Sequence, residues 1–413
     1  MLRKSIILTI LLSLVGSSYL DAKTIEVCKT CAVSSIAEGI ALASKNDVVL
    51  VKEGVYAEHD IDISKPITLR GEGNSVIDAE NKGYGLLLFS DSITIEKMTV
   101  TNIGNSYTKD FAAIYVSKIK YFTIQNCTLT NVFFGMLIEK SHYGVIRHND
   151  ISSDAIEESS SGNGIHLWSC SNLQVDHNEL QKLRDGIYLE FVSESKIEYN
   201  LSHHNIRYGL HFMFSNDDEY HYNQFYSNGA GVAVMFSKRL AMTHNRFSEN
   251  WGSASYGLLL KEIYDAEIEY NTLERNTIGI NAEGATRVNY KHNYFLNNGW
   301  ALKVSGACYA NDFSENNFIN NSFDVSYDSK VNDNKFDHNY WSTYTGYDLD
   351  KNGVGDIPFR PVKLFSYIVN RTPETILLLR SLFMELLNFS EKVSPVFTPD
   401  NLLDNHPSIK KFE

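Results

Sequence analysis

Seven short glycine-initiated segments carry side chains that could bind a soft metal ion. They are GMLIE from Gly135, GIHLW from Gly164, GIYLE from Gly186, GLHFM from Gly209, GVAVM from Gly231, GLLLK from Gly257 and GINAE from Gly279. In each, the second and fourth residues after glycine share one face of a predicted strand. His211, Met213 and Met235 lie on that face, and imidazole together with thioether favours Cu(I) over Mg²⁺ or Ca²⁺. His166 and Glu190 extend this predicted metal site.

Stacking without metal binding is the alternative for these side chains. The aromatic and methionine residues of the face could simply cover the sheet, and spacing alone leaves both interpretations open. A second histidine set precedes repeated asparagines, at His148, His177, His244, His292 and His338. Tyrosine alternates freely with histidine in this slot, so ring stacking at a corner explains the slot better than metal binding does.

The elements that must position these side chains follow from an asparagine repeat. The chain contains 38 asparagines, and pairs five residues apart recur along it, usually every 22 or 23 residues. The pairs are Asn126/Asn131, Asn200/Asn205, Asn223/Asn228, Asn245/Asn250, Asn271/Asn276, Asn293/Asn298, Asn316/Asn321 and Asn334/Asn339. A coil of this length cannot bury its apolar residues alone, so coils must stack. The repeat predicts an all-β, right-handed parallel β-helix, with asparagine at left-handed corners and in ladders between coils.

The predicted organisation has four parts. They are a secretory signal peptide at residues 1–22, an N-terminal cap at 23–59, the β-helix at 60–345, and a C-terminal segment at 346–413. The cap includes a predicted helix over 34–45 with Ile36, Ile40 and Leu42 inward. The C-terminal segment contains a loop and an apolar helix over 374–387, which either caps the last coil or docks on a partner protein.

The composition excludes several classes of protein. Hydrophobic residues make up 43% of the chain and charged residues 21%, which is typical of a globular chain and excludes a disordered one. The net charge of −13 disfavours nucleic acid and anionic lipid as partners. An acidic surface permits cation binding without indicating it.

Two further motifs could hold a metal. Cys28 and Cys31 form a CxxC near the start of the exported chain, which predicts either a local disulfide or a metal or redox pair. The loop DLDKNG places Asp348, Asp350 and Asn352 at the spacing of a Ca²⁺ loop. The glutamate expected at its twelfth position is absent, which weakens the Ca²⁺ interpretation.

The remaining cysteines and one histidine pair suggest no chemistry. Cys127, Cys170 and Cys308 are scattered, and we expect them to pack as small apolar residues. His203 and His204 are expected to be exposed and to have no carboxylate partner.

Residues 162–238 resemble the core of the NosD family. The segments that carry the resemblance are GNGIHLW, RDGIYLEFVSESKIEYN, RYGLHFMFSNDDEYHYN and NGAGVAVMFSK. It continues through NYWSTYTGYDLDKNGVGDIPFRP to LLLRS and VSPVFTPDNLLDNHP, and so covers nearly the whole chain after the signal peptide. The asparagine coils are common to many β-helices, whereas RYGLHFMFS and the C-terminal segments are far more specific.

Members of this family are accessory proteins for maturation of the copper enzyme nitrous oxide reductase. The resemblance implies a periplasmic β-helix that works at the inner membrane with an ABC transporter, composed of a permease and a cytoplasmic ATPase. It implies that copper comes from a lipoprotein chaperone and serves assembly of the copper–sulfide cluster of the apo reductase. The residues matched to the family segments are His211, Met213 and Met235, and the C-terminal helix becomes a candidate permease-docking element.

Two other classes of function stay open. A carbohydrate-active β-helix would need a groove in which two carboxylates flank one glycosidic bond, or a Ca²⁺ cluster beside a base. On the predicted face Glu139, Glu190 and Lys261 are too widely spaced for this, so we expect no enzyme. A structural surface protein would bind neither copper nor a transporter.

Overall fold

Three long parallel sheets wind into a right-handed parallel β-helix in the computed structural model of this chain, as the asparagine repeat predicts. The structure describes residues 22–106, 108–327, 333–379, 381–393 and 402–413. The predicted signal peptide therefore lies outside the described residues, apart from Ala22. Each coil contributes one short strand to each sheet, and strands of adjacent coils pair in parallel.

The strands of each sheet stack in the order in which they occur along the chain. Sheet A contains Thr24–Val27, Val48–Val51, Thr68–Gly71, Thr94–Glu96, Thr123–Gln125, Val145–Arg147, Gln174–Asp176, Lys196–Glu198, Glu219–His221, Ala241–Thr243, Tyr264–Glu269, Thr286–Lys291, Asp312–Ser314 and Lys335–Asp337. Sheet B contains Gly54–Ala57, Ser75–Lys82, Thr99–Ile103, Thr128–Thr130, Asp150–Ser152, Glu179–Gln181, Leu201–His203, Gln224–Tyr226, Arg246–Ser248, Thr272–Glu274, Tyr294–Leu296, Asn317–Ile319 and Tyr340–Trp341. Sheet C contains Ile61–Ile63, Leu86–Leu88, Ala112–Ser117, Phe134–Glu139, Ile165–Trp168, Asp185–Glu190, Tyr208–Met213, Ala230–Met235, Leu258–Lys261, Ile278–Glu283, Trp300–Ser305 and Phe323–Tyr327.

The N-terminal region joins the solenoid earlier than its predicted boundary at residue 60. Thr24–Val27 already pairs in parallel with Val48–Val51 as the first rung of sheet A. Helix α1 spans Ile36–Leu42, and the Ser35 side chain caps it by accepting from the Glu38 N–H. The prediction that Leu42 points inward is wrong, because α1 ends there and the side chain is 60% exposed.

The core is a column of inward side chains between the three sheets. About half of the described strands are three residues long. Many of these bury only the middle side chain, as in Lys196–Glu198, which follows from the alternation of side chains along a strand. In the later coils the column becomes aromatic. Phe295, Phe318 and Trp341 stack face to face, with ring centroids 4.7 and 4.1 Å apart.

Buried asparagines form hydrogen-bonded ladders that hold successive coils together. One ladder contains Asn149, Asn178, Asn200, Asn223, Asn245, Asn271, Asn293, Asn316 and Asn339. Each carboxamide oxygen accepts from the backbone and side-chain N–H groups of the preceding member, as Asn223 does from Asn200 at 2.9 and 3.0 Å. A second ladder contains Asn205, Asn228, Asn250, Asn276, Asn298 and Asn321.

Two details of the asparagine prediction are wrong. Asn126 has the predicted left-handed backbone, with φ of 55°, but it is exposed and lies outside the ladder. The buried slot of that coil is occupied by Cys127, whose N–H donates to Asn149. Left-handed corners belong to the residue before each ladder asparagine, such as His148 or Tyr199, and not to the ladder asparagines. Asparagine recurs in the ladder slots because its carboxamide satisfies buried backbone groups.

The predicted continuous helix over 374–387 is interrupted. Helix α2 spans Leu364–Arg371, a 3₁₀ helix spans Pro373–Leu378, and helix α3 spans Leu382–Val393. The break lets both α helices reach one apolar cluster, in which Phe365 and Met384 pack with Trp300 and Phe323 of sheet C. Among the described residues, no helix is long and apolar enough to cross a membrane.

Residues 402–413, which we call the strap, close the end of the solenoid. Asp404 is fully buried and takes the place of the next ladder asparagine. Its carboxylate accepts from the Asn339 N–H at 3.0 Å and from the Trp341 indole N–H at 2.9 Å. The strap therefore caps the last coil, whereas the helices pack on the side of sheet C.

We predict that Asn223→Ala lowers the free energy of unfolding by about 2–4 kcal/mol. The substitution leaves the buried Asn200 N–H and the Ile197 carbonyl without their partners, and each unsatisfied buried group costs about 1–3 kcal/mol. Gln224→Ala is the matched control, because Gln224 is the exposed neighbour. Denaturant unfolding measures both variants, and equal midpoints would contradict the importance of the ladder.

Candidate functional site

Strand register on the outer side of sheet C places the predicted metal-binding residues in two rows. One row runs through His166, Tyr188, His211 and Ala233 on adjacent strands. The second runs through Trp168, Glu190, Met213, Met235 and Lys261. The two rows lie two residues apart along each strand, or about 6.6 Å. We call this surface the His–Met face.

The imidazole of His211 is buried between aromatic rings and has one free nitrogen. Its ring centroid lies 5.0 Å from that of Tyr188 and 4.9 Å from that of Tyr208. Nδ1 lies 3.6 Å from an Asp185 carboxylate oxygen and 3.4 Å from an Arg207 nitrogen. Nε2 is buried and has no hydrogen-bond partner. In the tautomer with the proton on Nδ1, facing Asp185, Nε2 has the free lone pair that a metal ion needs, and the carboxylate orients the ring.

Asp185 anchors this corner of the face. Its side chain is fully buried, and the Arg207 guanidinium donates to both carboxylate oxygens at 3.0 and 2.7 Å. Burial alone would raise the pKa of Asp185, but hydrogen bonds from His211 and Arg207 outweigh burial and hold that pKa below its usual value. The carboxylate is therefore charged at neutral pH.

Sequence reasoning missed both Asp185 and Arg207. The signal available was their position near the start of two glycine-initiated segments: Asp185 is one residue before Gly186 in RDG, and Arg207 is two residues before Gly209 in RYG. Alternation along the strand does not reveal this role, because Arg207 precedes the strand Tyr208–Met213 and reaches across to the coil before it.

His166 is held as a neutral imidazole. Its ring lies 4.7 Å from the Tyr188 ring, and its Nδ1 is 3.2 Å from the Asn163 amide nitrogen. Burial, reinforced by the Arg184 guanidinium, lowers the pKa of His166 to about 4. A neutral imidazole at physiological pH is the form that binds metal ions.

The thioethers form the more accessible part of the face. Met213 and Met235 are directly paired on adjacent strands and are partly exposed, at the rung spacing of about 4.8 Å. Glu190 pairs with Met213 and accepts a 3.3 Å hydrogen bond from the Tyr188 hydroxyl. The corner beside this row carries exposed Phe214 and Phe236, whose rings stack 5.2 Å apart.

The predicted ligand set therefore divides into two neighbouring groups. In the first group, Tyr188 lies between His166 and His211 on adjacent strands. Asp185, at the start of the Tyr188 strand, is next to His211 Nδ1. Met213, Met235 and Glu190 form the adjacent row. Strand register pairs the two methionines on adjacent strands and places His211 two residues along the strand from Met213. Thioether and imidazole donors are suited to Cu(I).

Other residues singled out in the sequence have structural roles. Cys28 and Cys31 form a disulfide. Cys127, Cys170 and Cys308 are buried and free, as predicted, and burial raises the pKa of Cys127 to about 12. The histidine slot is a column of stacked rings, such as His177, Tyr199 and Tyr222 at 5.0 Å spacings.

The prediction for the histidine pair is wrong for His203, whereas His204 is exposed as predicted. His203 is buried, and its Nε2 lies 3.2 Å from the Glu179 carboxylate on the preceding coil. The two imidazole rings are nearly perpendicular, with 2.8 Å between their Nδ1 atoms. The sequence did not reveal Glu179 as a partner because it lies 24 residues from His203, and the two side chains come into contact only when the coils stack.

The loop after the last coil is organised by its own acidic side chains. Asp348 accepts from the Asn352 and Gly353 N–H groups at 3.1 and 2.9 Å, and Asp350 accepts from the Asn352 N–H at 3.2 Å. These bonds account for the DLDKNG pattern as a turn, and Ca²⁺ binding by Asp348, Asp350 and Asn352 stays a prediction.

Comparisons with known proteins give one family and a widely shared fold. A family model described as periplasmic copper-binding protein (NosD) matches residues 148–346. The chain is similar to two proteins named probable ABC transporter binding protein NosD. The one from Stutzerimonas stutzeri is 28% identical over 84% of both chains. The one from Pseudomonas aeruginosa is 29% identical over 86% of this chain and 87% of the other.

Solved structures share the β-helix at low sequence identity. The A-module of mannuronan C-5 epimerase AlgE6 from Azotobacter vinelandii has a TM-score of 0.60 and 11% identity, covering 70% of this chain and 89% of the module. The family 28 exopolygalacturonase of Yersinia enterocolitica has a TM-score of 0.61 and 11% identity, covering 76% of this chain and 78% of the enzyme. At this identity the likeness concerns the fold alone.

We predict that Asp185→Asn lowers the free energy of unfolding by about 2–4 kcal/mol, because it leaves the buried part of the Arg207 charge unpaired. Asp217→Asn is the matched control, since it breaks a similar arginine pair with Arg239 at the surface, where such pairs contribute about 0–1 kcal/mol. Denaturant unfolding compares the two, and equal losses would contradict an anchoring role for Asp185.

Proposed function

Since this chain belongs to the NosD family, we propose that it is a periplasmic accessory protein that binds Cu(I) on its His–Met face. From there it passes copper toward assembly of the copper–sulfide cluster of nitrous oxide reductase. The observation that carries the proposal is the buried Nε2 of His211, which has no hydrogen-bond partner and belongs to a residue two positions along the strand from Met213, the register partner of Met235.

The thioether and imidazole donors of the His–Met face have different roles in the proposed copper transfer. Met213 and Met235 are partly exposed and can take Cu(I) from a donor protein without removal of a proton. His211 supplies the stronger nitrogen donor, oriented by Asp185 behind it. Cu(I) is the cargo of this site, so binding must be strong enough to receive the ion and weak enough to release it to the reductase.

The proposed partners are those of the family. A lipoprotein chaperone supplies copper, the apo reductase receives it, and an ABC transporter of permease and cytoplasmic ATPase works with the chain. The names of the two relatives support association with an ABC transporter.

Helix α3 provides the proposed contact with the permease. Leu382, Phe383, Leu386 and Phe389 lie on one side of α3 and are 51–69% exposed, although the opposite side packs through Met384 on sheet C. An exposed apolar helix side anchored to a rigid solenoid is suited to a protein partner.

We also propose that the chain acts without turning over a carbohydrate. Glu139 and Glu190 lie two coils apart on the His–Met face, with Trp168 in register between them. Each carboxylate accepts a hydrogen bond from a tyrosine hydroxyl of the same face. The geometry thus favours metal binding over a pair of carboxylates acting on one bond.

Replacing His211 by Asn and both Met213 and Met235 by Leu is expected to abolish Cu(I) binding at the face. Leucine conserves the volume of methionine, so folding is retained while the soft donors are removed. Competition with a chromophoric Cu(I) chelator under anaerobic conditions measures the affinity. The control carries His221→Asn and Met242→Leu, which lie on sheet A of the same coils. An affinity unchanged in the triple variant would contradict the copper site.

Leu386→Asp with Phe389→Asp is expected to weaken binding to the permease–ATPase complex at least 100-fold. Two large apolar side chains contribute about 1.5–3 kcal/mol each when buried, and about 2.7 kcal/mol corresponds to that factor. Coelution of the purified proteins in detergent measures the complex. Leu42→Asp is the control, because Leu42 is a comparably exposed leucine at the other end of the chain. Unchanged coelution of the double variant would contradict docking through α3.

A further inference from the structure

A second group of metal-binding side chains lies where the strap meets the last coil. Asp337 ends the last strand of sheet A, His338 follows it, and His406 comes from the strap 69 residues later. One carboxylate oxygen of Asp337 and one ring nitrogen of each histidine all lie within 4.8 Å of one another. Chain segments far apart in sequence therefore bring two imidazoles and a carboxylate to one point.

The contacts at this point run through Asp337. His406 Nδ1 lies 2.7 Å from one carboxylate oxygen, and His338 Nδ1 lies 3.2 Å from the other. The two imidazole rings stack with centroids 5.3 Å apart. Lys335 also reaches Asp337, at 3.1 Å, and is exposed enough to turn away into water.

The exposure of the three side chains suits a metal ion. The Asp337 side chain is 16% exposed, and those of His338 and His406 are 47% and 59% exposed. The imidazoles are thus open to solvent, while the carboxylate beneath them is held in place.

We propose that Asp337, His338 and His406 bind a divalent transition-metal ion of the Zn²⁺ or Cu²⁺ class, which fastens the strap to the last coil. Two imidazoles and one carboxylate are the donor set of tetrahedral sites that keep one position for water. These borderline nitrogen and oxygen donors select divalent ions. The site is chemically distinct from the His–Met face, whose thioethers favour Cu(I).

Because His406 belongs to the strap, a metal ion at the proposed site would hold the strap on the last coil of the solenoid. Asp404, two residues before His406, ends the asparagine ladder. Parallel bridges from Phe336 to Asp404 and from Tyr340 to Ser408 continue the coil pattern into the strap. An ion that joins His406 to Asp337 would therefore stabilise the last rung as well as the strap, since it binds only when the two are together.

The test is hydrogen exchange of residues 402–413 in the full chain, with Zn²⁺ as the probe because it has no redox chemistry. At free Zn²⁺ a hundred times its Kd, exchange through strap opening should slow about 100-fold. Calorimetry should show that His338→Asn and His406→Asn each lose one equivalent of bound Zn²⁺. Asparagine can still donate to Asp337, so the strap should stay docked without metal.

The matched control is His148→Asn. His148 occupies the same corner slot in an earlier coil and belongs to a similar cluster with Asp176 and His177. In the His148→Asn variant, Zn²⁺ should still slow hydrogen exchange of the strap, even if the variant binds one equivalent of Zn²⁺ less at the His148 cluster. Strap exchange that is insensitive to Zn²⁺ in the native chain would overturn the proposal. Protection that persists in both the His338 and His406 variants would overturn it as well.

Discussion

The hydrogen-bonded asparagine ladder is the interaction on which the rest of this structure depends. Each ladder carboxamide forms hydrogen bonds with backbone groups at the turn between two sheets. At these turns the backbone groups cannot pair through regular strand–strand hydrogen bonds. A coil that slipped by one residue would leave these buried groups unpaired, at about 1–3 kcal/mol each. The ladders therefore fix the register of coils from Asn149 to Asp404, and register decides which side chains become neighbours.

Strand register explains why the residues of the His–Met face are neighbours. It also explains why the contacts of His211 could not be predicted from the sequence. Pairing of Met213 with Met235 follows directly from two glycine-initiated segments in the same phase, so it could be predicted. The orientation of His211 could not, because it depends on Asp185 and Arg207 at the strand entrance. Asp185 and Arg207 form a buried ion pair between neighbouring coils. This pair occurs in one place and does not repeat along the chain, so the sequence period does not reveal it.

The same distinction separates the other successes from the failures. The coil period and the N-terminal helix arise from local patterns, and the sequence predicted both. Local spacing also made the Cys28–Cys31 disulfide one of two predicted alternatives, and the structure contains it. The environment of His203 and the role of the strap depend on residues 24 and more than 60 positions away. The apolar run over 374–387 suggested one helix, because hydrophobic content does not show where a chain must turn to let α2 and α3 share one cluster.

A stack of nearly identical coils also determines where the two proposed metal sites lie. The proposed Cu(I) site is on sheet C, whereas the proposed divalent site joins the end of the last strand of sheet A to the strap. Coil register holds Met213 and Met235 on sheet C, so only the first site would combine thioethers with imidazole. Because thioethers favour Cu(I), whereas imidazole and carboxylate alone favour divalent ions, the two sites would differ in metal preference. The ladders that fix coil register would thus also fix which donors each site contains.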